Sequence, residues 1–112
     1  MLDHERLDAY QCALQFAASA FRILENLPRG HTELADQLKR AAISVPLNIA
    51  EGAGKTTIRE RVRYHAIARG SAMECAAVVD LLQLQNLIDV AEAKRAKELL
   101  VRLVSMLSKM CR

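Results

Sequence analysis

A proline stands in the middle of a run of helical period. From Leu38 to Gly54 the chain reads Leu-Lys-Arg-Ala-Ala-Ile-Ser-Val-Pro-Leu-Asn-Ile-Ala-Glu-Gly-Ala-Gly. Leu38, Ala42, Val45 and Ile49 recur at the spacing of one helix face, so the stretch predicts a helix with one apolar side. Pro46 withholds a backbone N–H and crowds the carbonyl of Ala42, which predicts a kink there. Gly52 and Gly54 end the element. Asn48 and Glu51 need partners if they are buried, and Arg59, Arg63 or His65 across the next turn could supply them. The plainest reading is a kinked core helix whose polar groups fix helix pairing. The alternative is that some of these groups line a ligand surface.

The same period recurs along the rest of the chain. Apolar residues make up 52%, with no Trp, two Phe and two Tyr, and only six Gly and Pro together. That is the profile of an all-α fold rich in Ala and Leu, not of a β fold. Four helices are predicted at about 3–27, 32–53, 57–86 and 91–110, in one domain of 112 residues. Asp3 is the expected N-cap of the first, with Arg6 where a capping box would have Glu. Thr32 is the expected cap of the second and Thr56 or Thr57 that of the third, where Glu60 would complete a capping box with Thr57. Leu87-Ile88-Asp89-Val90 reads as a short apolar connection.

The first helix carries two apolar rows: Leu7, Tyr10, Leu14, Ala17, Phe21 and Leu24, then Ala13, Phe16, Ala20, Ile23 and Leu27. Ile43, Leu47 and Ala50 double the second helix, and the fourth is doubled too. Faces this wide exceed one seam and predict either deep packing or cover by another subunit. In the third helix Ile58, Val62, Ala66, Met73, Ala76 and Val79 are the expected inner face. A short turn makes the second and third helices antiparallel neighbours. Counting outward from Lys55–Thr56 sets Ala41 opposite Gly70, Asn48 near Arg63 and Pro46 near His65. A mid-helix glycine costs about 1 kcal/mol relative to Ala, so Gly70, with Ser71 and Ala72, is expected to face Ala41 and Ala42 closely.

No chemistry of catalysis is legible. No Glu precedes a His by three residues, so the bundle di-metal pattern is missing, and no cofactor is implied. Neither Ser44 nor Ser71 has the surroundings of an activated nucleophile. Gly52-Ala53-Gly54-Lys55-Thr56 lacks the upstream strand and spacing of a phosphate loop. Cys12, Cys75 and Cys111 are too far apart for a zinc motif and are expected as reduced thiols in the cytoplasm. No signal segment or membrane span is expected.

The charge is uneven. The net charge of +3 hides a segment from Lys39 to Arg69 that carries +5, leaving −2 for the rest. Within it Arg40, Lys55, Arg59, Arg61 and Arg63 are the candidate contacts for an anionic partner, with Arg59 and Arg63 four apart on one face. The expected function is a non-catalytic homo-oligomer binding RNA or DNA backbone, with too few aromatics to stack bases. The alternative is a protein-interaction scaffold whose doubled rows serve a protein partner and whose arginines only solubilise. A small-molecule binder is weakest, because Ala-rich helices leave little room.

Two stretches resemble one family. Arg40-Ala41-Ala42-Ile43-Ser44-Val45-Pro46-Leu47-Asn48-Ile49-Ala50-Glu51-Gly52 is similar to the (K/R)RAA-x-S(I/V)P-x-NIAEG signature of the 23S rRNA intervening-sequence proteins, or S23 proteins. Tyr64-His65-Ala66-Ile67-Ala68-Arg69-Gly70-Ser71-Ala72-Met73-Glu74 resembles the second signature, (F/Y)-x-x-IA-x-GSA-x-E. Leu47 stands where a small residue is usual, Lys55 where arginine is common and His65 where leucine is common. The resemblance spans essentially the whole chain. It implies an antiparallel up-down four-helix bundle and, as in several members, a pentameric ring. Some members are encoded in sequences that interrupt 23S rRNA genes. A similar protein, the accessory variability determinant of diversity-generating retroelements, binds nucleic acid and a reverse transcriptase. The resemblance marks Pro46, Asn48, Glu51, Gly52, Gly70, Ser71 and Glu74 as motif residues and carries over no catalytic residue.

Overall fold

A computed structural model describes residues 2–112, the side chain of Arg6 excepted. It is all-α. A 3-10 turn, Asp3–Arg6, leads into α1 (Asp8–Asn26), α2 (Thr32–Ala53), α3 (Ile58–Leu84) and α4 (Val90–Met110). Among the described residues there is no strand, and no helix is long and apolar enough to cross a membrane.

The first helix does not start at Asp3. Leu7 is extended, at φ −80° and ψ 128°, and separates the turn from α1. The turn closes on itself, because the Leu2 N–H donates to Glu5 Oε2 at 3.1 Å. Gln11 Nε2 then donates to the Glu5 carbonyl at 3.1 Å, and the His4 ring meets Tyr10 edge-on at 4.7 Å. These contacts satisfy the turn without helical continuation.

The other ends follow their local chemistry. Gly30, at φ 98°, turns the chain into α2, whose N-cap is His31, so Thr32 stands inside the helix rather than capping it. Thr57 caps α3 by accepting from the Glu60 N–H at 3.2 Å. The Glu60 carboxylate takes the Thr57 hydroxyl at 3.0 Å rather than the Thr57 backbone N–H. α3 stops at Leu84, short of Asn86, because Asn86 adopts φ 58° and the Leu87 N–H returns to the Leu82 carbonyl at 2.9 Å. Asp89 is a cap rather than a plain connection: its Oδ1 accepts from the Glu92 N–H at 2.7 Å, and α4 therefore begins at Val90.

α2 lies against α1 and α3, α3 against α4, and α4 closes on α1. The core runs along all four. Phe16 and Ile23 come from α1, Leu38, Val45 and Ile49 from α2, Val78, Val79 and Leu82 from α3, and Leu100, Leu103 and Leu107 from α4. In α1 the buried row is Ala13, Phe16, Ala20 and Ile23, while Leu14 and Phe21 of the neighbouring row stay exposed. α3 differs from the expected face. Its buried residues are His65, Ala68, Ala72, Cys75, Val78, Val79 and Leu82, while Ile58 is 74% exposed and Ala66 and Met73 also face solvent. Apolar residues surround α3 on every side, so no one stripe announces the core.

The α2–α3 register is also shifted. Ser44 meets Ser71 and Gly52 meets Tyr64 and His65, not Ala41 with Gly70 or Pro46 with His65. Thr57 is extended, at φ −106° and ψ 148°. The chain therefore runs on past the end of α2, and Ile58, Arg59, Glu60 and Arg61 overhang and are exposed. Further along, His65 and Arg69 of α3 meet Met110 and Ser108 of α4, and Lys97 bonds to Asp80.

Candidate nucleic-acid interface

The motif residues build the seam between α2 and α3. Pro46 is buried within an unbroken α2. Asn48 Nδ2 donates to the Ser44 carbonyl at 2.8 Å and to Ser44 Oγ at 3.0 Å, and Ser44 Oγ shares a hydrogen bond with Ser71 Oγ at 2.8 Å. Asn48 thus finds its partner on its own helix, not in Arg63 across the turn. Glu51 is exposed and pairs with Lys55 at 3.6 Å, so it too needs nothing from Arg59, Arg63 or His65. Gly52 sits where a Cβ would come within 3.1 Å of the His65 ring and of Tyr64 Cβ. Gly70 is different: it points outward, with nothing within 4 Å of a Cβ placed there. The close position at the seam belongs to Ser71, because at 100° per residue Ala68, Ser71, Ala72 and Cys75 turn inward while Gly70 turns away. Glu74 is exposed.

The cations gather beyond this seam. Lys55 Nζ lies 5.1 Å from the centre of the Tyr64 ring, which with Glu51 fixes its position. Arg61 Nε donates to the Lys55 carbonyl at 3.0 Å, so Arg61 is tied to the same turn. Arg59 and Arg63 are exposed one helical turn apart. α4 ends at the same end of the molecule, against His65 and Arg69. His65 Nδ1 lies 3.4 Å from the Met110 carbonyl and Arg69 Nε donates to Ser108 Oγ at 2.7 Å, which brings exposed Lys109 and Arg112 to this end. These two were not among the sequence-derived candidates. They are far from the basic block in the chain, and only the α3–α4 register joins them to it. Arg40 goes elsewhere. It lies fifteen residues before Lys55 on α2, about 22 Å of helix rise away, in a shallow hollow with Asp36, Lys39 and Ile43.

The family model of the 23S rRNA-intervening sequence protein matches residues 5–109. The chain belongs to the 23S rRNA-intervening sequence protein family. A crystal structure of a protein of unknown function from the S23 ribosomal protein family of Bacteroides thetaiotaomicron has the same fold, with a TM-score of 0.86 at 18% identity over 93% of this chain and 98% of that one. No curated protein matches.

In this member of the 23S rRNA-intervening sequence protein family the leucine-like position of the second signature holds His65. It is buried, and its Nε2 has no hydrogen-bond partner. Two of the three thiols, Cys12 and Cys75, are buried. Burial pushes Cys75 up to about 12, with the charge of Glu74 adding to the effect, and burial also raises Cys12, against a smaller lowering by Arg102. Cys111 is half-buried. Among the described residues no three His, Cys, Asp or Glu side chains could jointly hold a metal ion. The α3–α4 groove, about 300 Å³, is lined mainly by Met73, Ala76, Leu100, Val101 and Val104.

Proposed function

We propose that this chain is a non-catalytic, cytoplasmic bundle that assembles with itself and binds nucleic-acid backbone through its basic end. The observation that carries the reading is that Lys55, Arg59, Arg61 and Arg63 share one end of the molecule with Lys109 and Arg112. Cations drawn from three segments onto one end of a bundle suit a polyanion that needs charge more than shape. The helices run up, down, up, down with α2 bent at Pro46; the opposed order of the Ser44–Ser71, Gly52–His65, Arg69–Ser108 and Lys97–Asp80 contacts supports the first point. Exposed Leu14, Phe21, Ile43 and Leu47 support assembly, and five copies is the number the family resemblance supports.

RNA binding measured from low to high salt tests this reading. Binding that weakens steeply with salt, and is lost in Arg59→Ala/Arg63→Ala with no change of mass, is the expected result. Absence of RNA and DNA binding even at low salt contradicts it. The apolar α3–α4 groove favours a second reading, an accessory subunit for a protein partner; tight capture of one protein at high salt, without nucleic acid, would select it.

A further inference from the structure

Five large apolar side chains of α3 stay exposed: Ile58, Ile67, Met73, Leu81 and Leu84. Gly70 stands among them with open space around it. Glycine is disfavoured inside a helix unless a backbone conformation or a close neighbour requires it, and nothing among the described residues supplies either reason here. Ile67, Gly70 and Glu74, spaced three and four apart, form one exposed strip. α2 carries a strip of the same spacing, Arg40, Ile43 and Leu47. Ile43 is 36% exposed and Leu47 62%, against 42% for Ile67.

Contacts within the chain set the heights of the two strips. The Ser44–Ser71 hydrogen bond places those residues at one level. Stepping away from it in opposite directions brings Arg40 level with position 75, Ile43 with 72 and Leu47 with 68. Glu74, Gly70 and Ile67 lie within two residues of those positions, about 3 Å of rise at most.

We propose that the α2 strip of one copy packs on the α3 strip of a second copy standing beside it in the same direction. Arg40 meets Glu74, Ile43 covers Gly70 and Leu47 packs on Ile67. The inference rests on the self-assembly read above and names its surface. Opposite charge, a side chain facing a bare backbone and apolar area on both sides all coincide at matching heights. Arg40, left apart from the basic end, thereby joins copies. The arrangement also points every basic end the same way.

Light-scattering mass, with helical content as the check on folding, tests the surface. The unaltered chain and Gly70→Ala, which adds one methyl to open space, are expected to run as multiples of the single chain. Gly70→Leu and Arg40→Glu are expected to weaken assembly at least tenfold while staying helical, and Arg40→Glu/Glu74→Arg to restore the mass. An unchanged mass in folded Arg40→Glu, or no restoration in the exchanged pair, overturns this surface while self-assembly stands. A single-copy mass for the unaltered chain at high concentration overturns self-assembly and this inference with it.

Discussion

Gly52 and Gly70 occupy the same pair of helices under opposite conditions. Gly52 is pressed against Tyr64 and His65, so a Cβ there would come within 3.1 Å of a buried ring and of Tyr64 Cβ, and these would have to give way. Gly70 turns outward and has no neighbour for a Cβ to meet. The first glycine is explained by packing within the chain and the second is not. The inner seam of α2 and α3 is therefore a matter of folding, while their outer strips point to something beyond the single chain.

Of the two glycines, the larger effect is expected at Gly52. Gly52→Ala should lower unfolding stability by about 1–3 kcal/mol, the cost of overpacking a tight contact. A double-mutant cycle with His65→Ala should show that the loss shrinks once the ring is gone. A full loss in both backgrounds would mean that the ring is not what excludes the methyl.

Cys75 probes the same inner side of α3 by pH. Its thiol is raised from 9.0 to about 12 in the fold. Above pH 9 the unfolded chain releases this proton while the folded chain keeps it, so the unfolded state gains. Stability present below pH 9 should therefore fall between pH 9 and 12, by at most about 1.4 kcal/mol per pH unit. Denaturation of Cys75→Ala across that range should show a shallower fall. An equal slope would place Cys75 in water.

The smallest effect is at Gly70. In dilute solution, where copies are apart, Gly70→Ala should raise stability by about 0.5–1 kcal/mol through lost backbone freedom of the unfolded chain. A loss instead would reveal an intrachain neighbour and remove the contrast with Gly52.

The sequence disclosed α2 far better than α3. Leu38, Ala42, Val45 and Ile49 are all fully buried: of the two apolar rows of α2, this longer one faces the core and Ile43 and Leu47 of the second stay exposed. In α3, Ile58 and Met73 are as apolar as the true inner residues, so periodicity grouped them and Ala66, all exposed, with buried Val79 and half-buried Ala76. His65 was legible only as a residue, not as core. The α2–α3 register was missed because counting from the turn took no account of the extended residues that carry α3 past the end of α2. The basic block was legible as composition. Its separation from Arg40 follows from helix rise along α2, whereas Lys109 and Arg112 reach the same end only through packing that no local pattern encodes.

That completion is the most direct test of the whole account. The slope of log affinity for RNA against log salt should fall by about 1 for each phosphate contact removed. Arg59→Ala/Arg63→Ala and Lys109→Ala/Arg112→Ala are both expected to flatten it, the second pair as an integral part of the basic end. An unchanged slope in Lys109→Ala/Arg112→Ala, with the first pair flattened, would confine binding to the α2–α3 segment and contradict a surface assembled across α3 and α4.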